Sequence, residues 1–340
     1  MNRKRANSQD VAALAGVSQA TVSRAFTPGA SVSAKTRQKI EAAAIKLDYQ
    51  PNIIARSLSM RRSMLIGLLF TNWNHPKAAD LLKNITEEVT ARGYKVIVQS
   101  ATCNRHTDEV LRDFLQYQVD GVIVFSAIPA SGITTEYLRN RIPVVLLNRS
   151  GLALNTSSVS VDGTSIGRRV ATSLLEGFYR RFLLISADPD SQIVIEMNKA
   201  IVDVSAQHPE AEVISVRSGI DGYEAGLQEI SKIWSDPNSR PDAIICTSDN
   251  TALGILAGCR QQLKIGVPDD LAVIGLGDIP ASGWKDYDLT TVKIPHDQMV
   301  LKAVETLIAG IEDPTLEPRA IQFQAELILR GTTRSVPSRT

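Results

Sequence analysis

Between Ser18 and Arg24 the chain reads SQATVSR, small hydroxyls interleaved with one amide and one guanidinium. Gln and Arg are the side chains that bond bidentately to adenine and guanine edges in the major groove of a duplex. Hydroxyls such as those of Ser18, Thr21 and Ser23 bond phosphate oxygens, which position a protein on a duplex without reading its sequence. For these groups to act together, Gln19, Ala20, Ser23 and Arg24 must share one face of a helix. Val22 and Phe26 then fall on the opposite face, where a core would hold them.

The flanking residues predict the elements that would present this face. Ser8 is placed to cap a first helix carrying Val11, Leu14 and Ala15 at helical spacing. Gly16 suits the left-handed turn that ends it. Ser18 caps the second helix, TPGAS breaks the pattern, and Ser33 caps a third whose seam is Ile40, Ala44 and Leu47. Charge points the same way. Residues 1–62 hold eleven Lys/Arg against three acidic residues, a net of +8 in a chain whose total is +1. A basic head on an acidic body is the electrostatic footprint of a polyanion-binding segment.

Next comes YQPNIIARSLSMRRS. Pro51 suits the first turn of a helix, yet a helix of about two turns is marginal in water until something buries it. A duplex would do so, because an apolar side chain wedged into a minor-groove base step unstacks and kinks it. Leu58 is the candidate wedge, with Ala55 allowing close approach.

DVAALAGVSQATVSRAF, VSAKTRQKIEAAAIKLDYQPNIIARSL and the following IGLLF resemble the LacI/GalR family of bacterial transcription regulators, and the resemblance covers essentially the whole chain. It implies that Gln19, Ala20 and Arg24 read bases. It also implies that Asn52, Ala55, Arg56 and Leu58 belong to a hinge helix at the centre of a palindromic operator. The expected division is a helix-turn-helix domain over 1–48, a hinge helix and linker over 49–62, and an effector-binding core over 63–340.

From Met64 the pattern becomes short apolar runs alternating with helical ones. MLIGLLF, KVIVQS, GVIVF and PVVLLN read as strands of a sheet buried on both faces. Helical patterns fall between them, around 78–92, 107–118 and 133–140. The cycle restarts with RFLLIS, then EVISV, DAIICTS and LAVIGLG. Two such series predict an α/β, two-lobed, periplasmic-binding-protein-like sensor domain of doubly wound parallel sheets. Lobe one is expected over about 63–162 plus 294–324, and lobe two over about 163–293 plus 325–336. The runs TTVKI, IQF and ELILRG would cross between them. Ligands of such sheets bind beyond the carboxyl ends of the strands, so the cleft between the lobes is the expected site.

An enzyme must be weighed here. AVIGLGDIP supplies Gly275 and Gly277 of a GxGxxG fingerprint, but Pro280 stands at the third glycine and no acid follows at the required distance. The four histidines (75, 106, 208 and 296) lack metal-like spacing, and no GxSxG or phosphate-binding loop is present. The three cysteines are isolated, which fits a reducing compartment. No catalytic residues, metal or cofactor are expected. The longest apolar run is far too short for a bilayer, and MNRKRANSQD has no apolar stretch behind it, so a cytoplasmic protein with no membrane partner is expected.

The resemblance places effector contacts on Asn72, Trp73, His75, Lys77, Asn148, Arg149, Met197, Ser248, Asp249, Gly277 and Asp278, and here the chain departs from the family pattern. NWNHPKA stands where an asparagine, a proline and two sugar-stacking aromatics are usual. Met197 replaces an arginine, Asn148 an aspartate, Gly277 an aspartate, and Ile294 a glutamine. The losses of acid and the gain of Lys77 move the cleft toward positive charge. An anionic effector follows, a sugar acid or sugar phosphate held by charge-assisted bonds to Arg149 and Lys77, with Trp73 as one stacking surface. The alternative is a degenerate pocket with Lys77 in solvent. Asp249 fits a helix cap better than a base.

A palindromic operator needs a two-fold protein, so a homodimer is expected. Leu81, Leu82, Ile85 and Val89 fit a subunit interface, but core is the simpler assignment for most of them. No heptad tail follows RGTTRSVPSRT. The leading expectation is a ligand-responsive repressor of carbohydrate or sugar-acid genes. A sugar-binding receptor without DNA function, and an α/β enzyme carrying a DNA-binding head, stand as its alternatives.

Overall fold

The computed structural model describes residues 6–26, 31–50, 62–71, 73, 77–101, 104–127, 129–149, 156–186, 188 and 191–334. The hinge positions Asn52, Ala55, Arg56 and Leu58 and the cleft positions Asn72 and His75 lie outside them. The chain divides into two compact units, Met1–Leu65 with Gln118–Asp120, and Ile66–Tyr117 with Gly121–Thr340.

In the first unit, α1 (Ser8–Ala15), α2 (Gln19–Ala25) and α3 (Ala34–Lys46) enclose a small core. Val11, Ala12, Val22, Ala25, Ile40, Ala43 and Ala44 are buried in it, with Phe26 and Tyr49 packed at its border. The cap of α1 is Asn7, not Ser8. The Asn7 side chain accepts from the backbone of Gln9 and Asp10 while Asp10 accepts from the Asn7 backbone, a reciprocal box that satisfies otherwise orphaned donors. Leu14 is also displaced from its expected place: it is 46% exposed, because Val11 and Ala12 already fill the short helix's inner face. Gly16 takes the left-handed conformation, φ 66°, and its N–H reaches back to the carbonyls of Ala12 and Ala13.

The second unit is built on two six-stranded sheets. The first comprises β1 (Leu65–Phe70), β2 (Lys95–Ser100), β3 (Gly121–Phe125), β4 (Val144–Leu147), β5 (Ser157–Val161) and β11 (Ala320–Phe323), in the order β11-β5-β4-β3-β1-β2. Its helices are α4 (Ala78–Ala91), α5 (Asn104–Gln116), α6 (Ser131–Arg139) and α11 (His296–Glu312). Every residue of β3 and β4 is buried, as strands covered on both faces must be. Leu81, Ile85 and Val89 of α4 are buried within this chain, which makes them core, and Leu82 is half-buried.

The second sheet comprises β6 (Arg181–Ser186), β7 (Glu212–Ser218), β8 (Ala243–Cys246), β9 (Ala272–Leu276), β10 (Thr290–Lys293) and β12 (Glu326–Ile328), in the order β12-β10-β9-β8-β6-β7. Here β12 pairs antiparallel with β10, so this sheet is not wholly parallel. Its strand arrives directly from the other sheet through a two-residue turn after β11, without the crossover helix a parallel neighbour needs. The backbone passes between lobes after β5, after β10 and after β11. Cys246 and Cys259 are buried in lobe two, and burial pushes the Cys259 thiol up to about 12, far from reactive thiolate.

Lobe two packs its helices in close pairs: α7 (Gly163–Glu176) on α8 (Gln192–Ser205), and α9 (Tyr223–Trp234) on α10 (Asp249–Ala257). At the second crossing a side chain on Gly254 would lie 2.0 Å from the Tyr223 carbonyl oxygen. Helix propensity alone would make Gly254→Ala stabilising by about 1 kcal/mol. The clash reverses that sign, and overpacking costs roughly 1–3 kcal/mol. The urea midpoint of Gly254→Ala should therefore fall, whereas an unchanged or raised midpoint would show the helices free to separate.

Glu229 of α9 is buried and accepts from Arg217 and from Lys232, the latter at 3.1 Å. Burial pushes its carboxyl up, but the bonds to Arg217 and Lys232 outweigh burial and hold it below the usual range. A depressed folded-state value stabilises the protein above the unfolded-state value and loses that contribution as pH falls through the folded one. Acidification should therefore destabilise the wild type more than Glu229→Gln. Chemical unfolding of both proteins across about pH 3 to 6 checks this.

Candidate functional site

The head presents its polar face as one surface. Ser18 caps α2, its hydroxyl accepting from the Thr21 N–H at 3.2 Å and lying 2.9 Å from the Thr21 hydroxyl. Thr21 is therefore half-buried and held by the cap, while Ser18, Gln19, Ala20, Ser23 and Arg24 are exposed. The Gln19 amide donates to the Ser8 hydroxyl of α1 at 2.9 Å, and the Arg24 guanidinium reaches back to the Ala20 carbonyl at 3.4 Å. Val22 beneath them is 1% exposed. Arg37 of α3 donates to the Ala25 carbonyl at the end of α2, which favours a cation there.

In the body a cleft of about 340 Å³ opens between the lobes. Most residues around it follow the carboxyl end of a strand: Thr71 after β1, Ser126 after β3, and Asn148 and Arg149 after β4 on lobe one. Thr247 and Ser248 follow β8, Gly277 follows β9 and Ile294 follows β10. This is where open α/β sheets gather ligands. A larger cavity, about 520 Å³, lies at the amino-terminal ends of β4, β5 and β11 and draws on lobe one and the crossover segments alone. The cleft is the candidate site, because both lobes contribute to it.

Two cleft residues hold unusual backbone conformations. Ser126 has φ 60° and Asn148 φ 65°, values costly for side chains of this kind unless the surroundings hold them. The Asn148 amide donates to the Ser126 hydroxyl at 3.2 Å, and the Arg149 guanidinium donates to the Ser126 carbonyl at 3.0 Å. Asn148 Oδ1 and Ser248 Oγ are buried with no hydrogen-bond partner among the described residues. A buried polar atom left unpaired costs about 1–3 kcal/mol, so both mark places where a ligand group would be welcome.

Of the positions expected in the cleft, the structure brings together Lys77, Asn148, Arg149, Ser248 and Gly277. Four others are placed elsewhere. Met197 is 1% exposed and its carbonyl lies against Gly167 of α7, because α8 turns that side of its turn into the lobe. Trp73 does not line the cleft but packs on Phe70, with ring centroids 4.9 Å apart. Asp278 is drawn away by Arg330, at 2.7 Å. Asp249 is wholly buried; Ser248 is the cap of α10, and Asp249 is its first helical residue.

The Asp249 carboxylate accepts from Thr291 Oγ1 at 2.6 Å, from Ser282 Oγ at 2.8 Å and from the Ile279 N–H at 2.9 Å. Burial pushes its carboxyl up against these three bonds. The bonds tie α10, the turn after β9 and the crossover strand β10 together beneath the cleft. They also account for the glycines of AVIGLGDIP: a side chain on Gly275 would lie 2.1 Å from Asp249 Oδ1, and Gly277 has φ 138°. These glycines admit a carboxylate of the same chain.

Sequence reasoning missed Ile193, Val194, Ile279 and His296 as cleft residues, along with the carboxylates Asp188 and Asp221. Asp188 and Asp221 equal Lys77 and Arg149 in number, so the lining carries no formal excess of positive charge when His296 is neutral. Neither carboxylate stands at a position that the family resemblance marks, so the expected shift in charge did not include them. The two carboxylates are exposed, however, whereas Lys77 and Arg149 are half-buried.

A profile of bacterial regulatory proteins of the lacI family matches residues 8–52, and a periplasmic binding protein-like domain matches residues 174–333. The ribose operon repressor of Bacillus subtilis (strain 168) is 32% identical over 96% of this chain and 98% of its own length. The ribose operon repressor of Escherichia coli (strain K12) is 29% identical over 96% and 99%. Catabolite control protein A of Staphylococcus xylosus is 25% identical over 96% and 98%. Among solved structures, a lac repressor dimer bound to operator and the anti-inducer ONPF shares the fold with a TM-score of 0.84, at 22% identity over 98% of this chain and 100% of that one.

Asp249→Ala should leave three donors unpaired and lower stability by roughly 2–5 kcal/mol, with Asp249→Asn between it and wild type. Urea unfolding tests this, and equal stability of all three proteins would contradict the assigned role. Head motifs, two-lobed body and end-to-end similarity agree: this chain belongs to the lacI family of bacterial regulatory proteins.

Proposed function

We propose that the protein is a cytoplasmic, ligand-responsive repressor that binds a palindromic operator as a homodimer. The observation that carries the reading is the exposed face of α2, with Gln19, Ala20, Ser23 and Arg24 on a helix capped and buried on its other side. In this reading Gln19 and Arg24 take base edges, and Ser18, Thr21 and Ser23 take phosphates. Asn52, Ala55, Arg56 and Leu58 supply the minor-groove contacts, with Leu58 as the wedge. Two half-sites one helical turn apart require two copies of the head, hence the dimer.

The effector occupies the cleft, and the half-buried Lys77 and Arg149 support an anion there, a sugar acid or sugar phosphate. Asp188 and Asp221 are exposed to water, which screens them more than it screens the cations. Three backbone passages join the lobes, so a ligand that binds one lobe arrangement more tightly shifts the population toward it. Coupling to the operator of about 1–3 kcal/mol changes occupancy 5–150-fold. The regulator reading is supported over an enzyme by the role of Asp249 at the glycines that most resembled a cofactor loop.

Fluorescence anisotropy on a selected palindromic operator, at fixed salt, tests the head. Arg24→Ala should lose about 1–3 kcal/mol of operator affinity and relax the preference at one base position. Loss of the same size on every sequence would make Arg24 a phosphate contact, and no loss would remove α2 from the interface.

A further inference from the structure

Both walls of the cleft carry polar groups, Asp188, Ser191, Asp221, Thr247 and Ser248 on lobe two among them, but only lobe two adds an aliphatic patch. On lobe one, Thr71, Lys77, Ser126, Asn148 and Arg149 are all polar. On lobe two the first turn of α8 turns Ile193 and Val194 to the cleft, and Ile279 continues the surface. These three are 5%, 7% and 8% exposed, a fixed aliphatic patch rather than mobile side chains at a rim. Ile294, at the crossover between the lobes, extends it.

A fully hydroxylated sugar carries polar groups around its whole edge. A hydroxyl pressed onto Ile193, Val194 or Ile279 would leave water and find no partner, an unfavourable burial. The unpaired Asn148 Oδ1 and Ser248 Oγ lie on opposite lobes, so a ligand that meets both turns a polar group toward each and is bare only where it lies on Ile193, Val194 and Ile279. Asn148 Oδ1 accepts only, so the ligand must offer it a donor.

Resting on the reading of the cleft as the effector site, we propose that the effector is a deoxy sugar acid or deoxy sugar phosphate. Its anionic, hydroxyl-bearing edge faces Arg149 and Asn148, and its deoxygenated face packs on Ile193, Val194 and Ile279. Ile193 and Val194 are thereby specificity-determining residues, which exclude the hydroxylated counterpart. An apolar surface rejects an added hydroxyl by about tenfold to a hundredfold.

Isothermal titration of the full chain with matched pairs tests this: ribose 5-phosphate and 2-deoxyribose 5-phosphate, gluconate and 2-deoxygluconate, L-mannonate and L-rhamnonate. In at least one pair the deoxy member should bind about tenfold tighter or better. Val194→Thr, which nearly conserves volume, and Ile193→Asn, each checked for wild-type folding by circular dichroism, should narrow that ratio to about threefold or less, through the hydroxylated member. A hydroxylated member that binds as well as its deoxy partner in every pair overturns the proposal. So does a ratio that survives both substitutions, or a panel with no binding at all. The cleft reading fails separately: if deoxy members bind but Arg149→Ala and Ser248→Ala leave every affinity unchanged, the ligand sits elsewhere, and both readings fall.

Discussion

A single buried carboxylate organises the floor of the cleft. Asp249 begins α10, yet its side chain leaves the helix to bind the turn after β9 and the crossover strand β10. A charge placed there is expensive, because burial pushes the carboxyl's pKa up, and is tolerated because three donors converge on it. Much else follows from its position. Gly275 has no side chain because the carboxylate occupies that space, and Ile279 is held where it lines the cleft. Thr291 lies on the last strand before the chain returns to lobe one, so the same network anchors one of the three passages that join the lobes.

The head follows another constraint. With three short helices and a core of mostly alanines and valines, it has little apolar area to hold it together. It compensates with caps: the Asn7 and Asp10 box, Ser18 on Thr21, Ser33 on Thr36, and Gly16 at the first turn. The Ser18 cap also orients the start of the helix whose outer face carries Gln19 and Arg24. The group that stabilises α2 is thus adjacent to the groups proposed to read a duplex.

Most of the architecture was legible because it rests on local patterns. Continuous apolar runs marked the buried strands, Gly16 and the capping serines marked the head, and the alternation of strand and helix marked two lobes. Less was legible where a side chain's role depends on distant partners. Nothing near Asp249 in the chain announces that Ser282 and Thr291 will reach it, and nothing near Asp278 announces Arg330. Met197 matched a family contact by position, but the orientation of α8 gives the cleft Ile193 and Val194 instead. Asn7 outranked Ser8 as a cap because its side chain reaches two backbone donors while Asp10 returns the bond, a geometry spacing alone does not reveal.

The central claim is that the cleft and the head are energetically linked. By thermodynamic necessity a ligand that changes operator affinity by some factor must have its own affinity changed by the same factor when operator is bound. The most direct measurement is the dissociation constant of the tightest-binding sugar acid or sugar phosphate, taken with and without saturating operator duplex at one salt concentration. The account predicts two different constants, whose ratio equals the change that the ligand makes in operator affinity. Equal constants with and without operator would mean that the cleft and the head do not communicate, and would contradict it.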